Sequence, residues 1–332
     1  MTVLVTADLH FSDNPRDAYR HGFQATLQAI IKKHNPNMLF ILGDLTEEKD
    51  HHGAKLVNQV VNHIAALGRI LPVVILQGNH DYIDIAHPFL EFVRNIPNVF
   101  WINTPKASTT YPNWCAHIGD FLFLPHSTNY KRDWHYLGDF TKYNWIFTHN
   151  SFDGADMGHG QRASGIPTTV MQGARVISGD IHIPQKFTNI TYVGAPYTVD
   201  FGDNYEPRLL LVHKDKYESI KVSGPMKRLV EITSIADLKN IKTHDADIVK
   251  VRVMLDPAEY DKWPNLKDKI NEWAEGRNVW AQTITPKLLQ PRVAKRKIIP
   301  AVSDKQLLQQ YAKAKGVDES TLKTGLVLLE KQ

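Results

Sequence analysis

Three short, mostly apolar runs of strand length each end directly on residues that carry polar chemistry. Val3, Leu4, Val5 and Thr6 lead to Asp8 and His10, the run 38–42 leads to Gly43 and Asp44, and 71–76 leads to Gly78, Asn79, His80 and Asp81. A strand that is apolar on both sides belongs inside a parallel sheet rather than at a wetted surface. Between these runs, Phe23, Leu27, Ile30 and Ile31, and then Leu56, Val60, Ile64 and Leu67, recur at helical spacing. Alternating β and α units of this size predict a mainly parallel sheet with helices packed on it.

From about residue 114 the pattern changes. The runs 114–117 and 121–124 flank Ile118, Gly119 and Asp120, a hairpin signal. Further runs at 145–148, 175–178, 187–193, 208–212 and 217–222 lack long helices between them, so a second sheet packed on the first is expected. The fold class read here is α/β: a four-layer α/β/β/α body over 1–222. Ser223, Gly224 and Pro225 look like a boundary, and 225–289 reads as a small α/β capping unit, with strands at 228–232, 248–254 and 279–284 and a helix at 267–275. A basic, Pro-bounded linker occupies 290–302, and 303–332 holds two short amphipathic helices around Gly316, Val317 and Asp318. Helices this short cannot bury their stripes alone, so they fold back or dock on a partner.

Composition narrows the function class only slightly. With 332 residues, 42% hydrophobic and 22% charged, the chain has material for one large body and smaller additions. A single cysteine, Cys115, excludes an internal disulfide and is expected in the core of a protein from a reducing compartment. The longest apolar run, 70–76, is too short to span a bilayer, and the N-terminus enters a strand at once, so a soluble cytoplasmic protein is expected. The net charge of +4 permits a polyanionic partner without selecting one.

Chemistry concentrates at strand ends. Asp8, His10, Asp44, Asn79, His80 and Asp81 are joined by His149 after the run 145–148, and by Asp180 and His182 after 175–178. Ligands of open α/β sheets bind outside the carboxyl ends of the strands, so residues far apart in sequence converge on one rim. Taken singly, each is ordinary: a Gly-Asp after a strand is usually a turn, and a lone His is usually structural. The ordered series is what points to a site. Carboxylates, imidazoles and one amide, without a thiolate, suit Mn²⁺, Fe²⁺, Zn²⁺ or Mg²⁺. The set is too large for one ion and fits a pair that shares a carboxylate and activates water for attack at phosphorus.

This series, Asp8-x-His10, Gly43-Asp44, Gly78-Asn79-His80-Asp81, His149 and Gly179-Asp180-x-His182, resembles the calcineurin-like metallophosphoesterase superfamily in order and spacing. Gly43-Asp44-Leu45-Thr46 and the Asp at 81 lack the wording of phosphoprotein phosphatases. The closer resemblance is to the SbcD-type nuclease subunit of DNA repair complexes, carried by the passage from Tyr192 through Gly194, Ala195 and Pro196 to Phe201 and Gly202, and then the strand 209–212.

That resemblance implies a metal-dependent exonuclease, with endonuclease activity besides, working with an SbcC-type coiled-coil ATPase that binds 303–332; a homodimer is also implied. Asp8, His10 and His182 would hold one ion, Asp44 would bridge, Asn79 and His149 would hold the other, and His80 would protonate the leaving sugar oxygen. Mn²⁺ is the expected metal, with Mg²⁺ as the alternative. Asp180 departs from the pattern, since the family places an imidazole there. An aspartate still donates oxygen to a hard ion and is counted here as a ligand; the opposing reading is a weakened second site. Lys49, His51, His52 and His159 lie on plausible rim loops as DNA contacts or as plain solvated residues. A small-molecule phosphodiesterase and a non-catalytic scaffold are the competing functions.

Overall fold

The structure, a computed structural model, describes residues 2–108, 120–158, 160–289 and 304–329. Its first six-stranded sheet is built from β1 (Val3–Thr6), β2 (Met38–Leu42), β3 (Val73–Leu76) and β4 (Val99–Ile102), all parallel, with β13 (Arg208–Val212) and β14 (Tyr217–Lys221) added antiparallel in the order β14-β13-β1-β2-β3-β4. Pro72 cannot donate to a ladder, which is why the third strand starts at Val73 and not at 71. The strand β4 was not anticipated from the sequence.

The second sheet runs β11-β12-β10-β7-β6-β5. Its parallel core is β6 (Phe121–Leu124), β7 (Trp145–His149), β10 (Val176–Gly179) and β12 (Ile190–Tyr192), and β5 (Lys106–Ala107) and β11 (Gln185–Phe187) are antiparallel edges. The run 187–193, expected as one strand, is instead the turn and second arm of a hairpin. Thr188 takes a left-handed φ of 52°, and the chain reverses there. Cys115 and the hairpin arm 114–117 lie outside the described residues, as do His159 and the linker 290–302. A two-stranded ribbon, β8 (Asp156–Gly158) with β9 (Gln161–Arg162), lies between β7 and β10 in sequence.

Side-chain alternation along each strand divides the core in two. Val3, Val5, Phe40 and Val74 point between the sheets and meet Phe121, Phe123 and Phe147; Leu4, Leu39, Ile41 and Ile75 point the other way. That second face is covered by α1 (Ala18–His34) through Phe23, Leu27 and Ile31, and by α2 (Ala54–Gly68) through Leu56, Val60 and Ile64. In the inter-sheet layer, Phe40 and Phe147 meet edge to face with ring centroids 4.9 Å apart. The outer face of the second sheet buries Trp134, Phe140, Phe152 and Met171. Its cover is the four-residue α3 (Tyr130–Asp133) with short 3-10 turns, because the chain there has no long amphipathic run. The layering is thus α/β/β/α with a thin fourth layer.

A three-stranded sheet, β15 (Lys227–Ile232), β16 (Ile248–Leu255) and β17 (Trp280–Leu288), carries α4 (Trp263–Glu275) between its last two strands. The described residues divide into two compact units, one of 1–254 with 261–287 and one of 255–260 with 288–332, so most of the segment 225–289 falls in the same unit as the two large sheets. In the second unit, α5 (Asp304–Lys315) and α6 (Glu319–Leu329) form a hairpin that turns at Gly316, whose φ is 63°. Asp318 caps α6 by accepting the Thr321 N–H at 2.9 Å. Leu307, Tyr311, Val327 and Leu328 stay exposed on this hairpin. Among the described residues, no helix is long and apolar enough to cross a membrane.

Candidate metal centre

Each strand that ends at this site leaves its sheet through a sharp turn. Asp8, His10, Asp44 and Asp180 adopt φ of 56°, 43°, 55° and 78°, a left-handed conformation that a residue with a Cβ rarely takes. Backbone bonds lock the turns together: the Asp8 N–H donates to the Gly43 carbonyl at 3.1 Å and the His10 N–H to the Asp44 carbonyl at 2.9 Å. The Tyr197 hydroxyl donates to the Leu9 carbonyl between them. Gly43 and Gly78 are required by close approach, since a Cβ on the first would strike the His149 ring and one on the second the Asp44 carboxylate.

Two clusters result. In the first, the Nε2 atoms of His10 and His182 lie 3.1 Å apart, and the buried Asp8 carboxylate leaves Oδ2 without a hydrogen-bond partner. In the second, His149 Nδ1 donates to the Leu42 carbonyl at 2.6 Å, so Nε2 is the ring nitrogen turned to the site. That nitrogen faces Asn79 Oδ1 at 2.9 Å, Asp44 Oδ1 at 3.3 Å and Asp180 Oδ1 at 3.8 Å. Asp44 serves both clusters, its Oδ2 lying 3.5 Å from His10 Nε2. The tightest ligand sets are Asp8 with His10 and His182, Asp8 with Asp44 and His149, and His10 with Asp44 and His80, the atoms of each within 4.8 Å of one another.

Asp180 is the outermost member. Its Oδ2 accepts the Ser151 hydroxyl at 2.5 Å and its N–H donates to Asp8 Oδ1 at 3.0 Å, which turns Oδ1 toward the second cluster. His80 Nδ1 donates to the Glu47 carbonyl at 2.6 Å, leaving Nε2 for the cleft. All eight residues singled out as ligands or acid therefore meet in one region: His10, Asp44, Asn79, His80, Asp180 and His182 line a cavity of about 360 Å³, and Asp8 and His149 are fully buried.

The electrostatics are those of a cation site. Burial pushes the Asp8 carboxyl up to about 6 against the pull of His149 and His182. Burial also opposes the charge on Asp44, yet His149 and His10 hold its carboxyl well below the usual range. Burial keeps His10 well below the ordinary imidazole value, hence neutral and able to donate a lone pair. His149 goes the other way: burial disfavours its cation, but Asp44 and Asp8 pull its pKa up. A ring nitrogen surrounded by carboxylate and amide oxygens needs positive charge on it or beside it, and a divalent ion meets that need as well as a proton does. The donor set therefore fits two metal ions.

Several supporting residues have no sequence signature. Asp81 accepts the backbone N–H groups of Gly78, Asp44 and Leu45 at 2.7, 2.9 and 2.9 Å and so ties two loops together. Arg20, buried on α1, donates to the His10 carbonyl at 2.5 Å and to Glu47 Oε2 at 2.6 Å, with Asp17 3.3 Å away. Lys227 Nζ closes the chain on Asp17 Oδ1 at 2.7 Å. His126 lies beside His149 with ring centroids 6.3 Å apart, and burial with that neighbour pushes its pKa down to about 4. Of the rim candidates, His52 bonds Thr46 and stacks on Phe89, while His51 is exposed.

The calcineurin-like phosphoesterase family model matches residues 1–184. An uncharacterized protein of Acanthamoeba polyphaga mimivirus is 21% identical over 361 residues, covering 98% of this chain; the chain spans only 26% of that protein's length. A putative phosphoesterase of Invertebrate iridescent virus 6 is 24% identical over 272 residues, covering 78% of this chain and 91% of that protein. Among solved structures, the phosphoesterase Yfce from E. coli is 14% identical, covering 66% of this chain and 92% of its own, with a TM-score of 0.34.

Protons and metal compete for this centre, and the sign follows from Asp8. Without metal, its raised pKa makes protonation favour the fold; that contribution is complete below the unfolded value of about 4 and is lost as the pH rises through about 6. Mn²⁺ should therefore stabilise the fold more at pH 7.5 than at pH 5.5, by on the order of 2.7 kcal/mol at a hundredfold excess over Kd, read as a larger rise in melting temperature, and EDTA should reverse the gain; an equal gain at both pH values would contradict the assignment. Asp180→Ala should weaken the second bound Mn²⁺ by at least ~10-fold in calorimetry while the first stays, and an unchanged second site would remove Asp180 from the ligand set.

Proposed function

Since the chain belongs to the calcineurin-like phosphoesterase family, we propose that it is a nuclease subunit hydrolysing DNA phosphodiesters together with an SbcC-type coiled-coil ATPase. Phosphoester hydrolysis at a dinuclear metal centre is the family's chemistry, and candidate ligands for both ions are present. The observation that carries the choice of a diester is the third carboxylate, Asp180, turned toward the second cluster. By formal count, two divalent ions against Asp8, Asp44 and a hydroxide leave about one positive charge, and an ionised Asp180 removes it. A centre near neutrality draws phosphate less strongly, and it disfavours a monoester dianion more than a phosphodiester with its single negative charge.

When bound, the two ions supply an activated water and offset the charge on phosphate, and the oxygen-rich donor set favours Mn²⁺ or Mg²⁺. The chain's own residues do the rest. Asp8, His10 and His182 hold one side of the centre, Asn79, His149 and Asp180 the other, and Asp44 spans them with one oxygen each way. His80 is held twice, its N–H on Asp44 Oδ1 at 2.9 Å and its Nδ1 on the Glu47 carbonyl. In its protonated form it delivers a proton from Nε2 to the departing sugar 3′ oxygen.

DNA is supported by what accompanies the phosphoesterase body: the three-stranded sheet, and a helical hairpin whose exposed Leu307, Tyr311, Val327 and Leu328 offer an apolar face to a helical partner. Linear duplex DNA should be degraded with Mn²⁺, and His80→Ala should slow this by about 10²–10⁴-fold. Cleavage of bis-p-nitrophenyl phosphate with DNA left intact would replace this reading by a small-molecule phosphodiesterase. A co-expressed ATPase of the SbcC type should be retained by the full chain and lost on deleting 303–332; retention by the deletion variant would overturn the partner assignment.

A further inference from the structure

Beside the metal centre, the same rim carries a second cavity of about 460 Å³, walled by segments that follow β3, β4 and β6. Ile85, Asn103, His126, Arg132 and Tyr136 line it. Its volume is that of a small-ligand site, which typically spans roughly 300–1,000 Å³. His126 stands at the junction: its ring is 6.3 Å from that of His149, its Nδ1 is engaged by the Tyr82 hydroxyl at 2.8 Å, and its other ring nitrogen has no hydrogen-bond partner among the described residues. The half-buried Asn103 side chain likewise makes no hydrogen bond there. Tyr136 is 62% exposed and Ile85 44%, so an aromatic face and an aliphatic side chain stand open beside unused polar groups.

We propose that this cavity binds the nucleoside that remains on the phosphate after cleavage, its base lying against Tyr136 and its edge reaching Asn103. This rests on the nuclease reading above, and the placement follows from two flanks. His80 packs on His10 with ring centroids 4.9 Å apart, so the departing sugar oxygen belongs to the first cluster. His126 neighbours His149 of the second cluster and is itself part of the cavity wall. A phosphate between the clusters therefore directs its departing ester toward His80 and its retained 5′ ester toward His126. Stacking on an aromatic face tolerates any base, which suits a nuclease without strict sequence preference.

The test uses the full-length protein with Mn²⁺ and two esters that release the same p-nitrophenolate: thymidine 5′-p-nitrophenyl phosphate, which retains a nucleoside, and bis-p-nitrophenyl phosphate, which does not. The nucleoside ester should show a kcat/KM about tenfold higher, mainly through KM, and Tyr136→Ala should bring that ratio down close to one. Calorimetry gives a second readout: thymidine 5′-monophosphate should bind about tenfold tighter than inorganic phosphate, and Tyr136→Ala should abolish the difference. Tyr136 is mostly exposed, so its replacement leaves the fold in place. Equal ratios in wild type and variant would sink the cavity assignment even if duplex DNA is cleaved. Intact DNA with a Tyr136-dependent preference for the nucleoside ester would uphold the cavity and overturn the nuclease reading.

Discussion

The structure depends on electrostatic strain concentrated at one point: buried carboxylate oxygens of Asp8 and Asp44, and the part-buried Asp180, directed at imidazole nitrogens of His149, His10 and His182. Taken out of water, groups of this kind repel unless positive charge stands among them. A chain that places them together must hold them by other means. Backbone ladders of two sheets supply the stiffness, left-handed turns at Asp8, His10, Asp44 and Asp180 supply the direction, and glycines at 43 and 78 let the loops close to contact distance.

Much of this frame is legible before any coordinates, because it rests on periodicity. Both-faces-apolar runs mark β1, β2 and β3, and 3.6-residue spacing marks α1 and α2, since burial on both sides or on one stripe leaves a pattern in the residue types. The site residues are legible for a related reason: a polar residue directly after a buried strand has to face the rim. Where burial is shallow, the pattern fails. The 187–193 segment reads as one strand because its hairpin turns on Thr188, a β-branched residue with none of the usual turn chemistry. Phe100 in β4 is only half buried, because that strand forms the edge of its sheet.

Supporting residues escape sequence reasoning because their meaning lies in distance across the fold. Arg20 sits on a helix where an arginine is ordinary, and only its approach to the His10 carbonyl and Glu47 gives it a role. Ser151 is unremarkable until its hydroxyl is found on Asp180 Oδ2. That bond is informative about the exchange of an imidazole for a carboxylate. A carboxylate has two equivalent oxygens and could turn either way; with one oxygen taken by Ser151 and the backbone N–H on Asp8, only the other is free to face His149. The substitution is thus accompanied by the contacts that give it an orientation.

The charge chain beneath the centre extends this reasoning to the three-stranded sheet. Lys227 opens β15 and is 8% exposed, and Asp17 is 6% exposed, so loss of Asp17 would leave the Lys227 charge buried without its counter-ion. Asp17 also faces Arg20, Arg20 holds both the His10 carbonyl and Glu47, and the Glu47 carbonyl orients His80. A displacement of β15 therefore bears, through four charged side chains and two carbonyls, on a metal-ligand candidate and on the group assigned as the acid. With the chain in place, the first strand of the small sheet is part of what fixes the geometry of the centre.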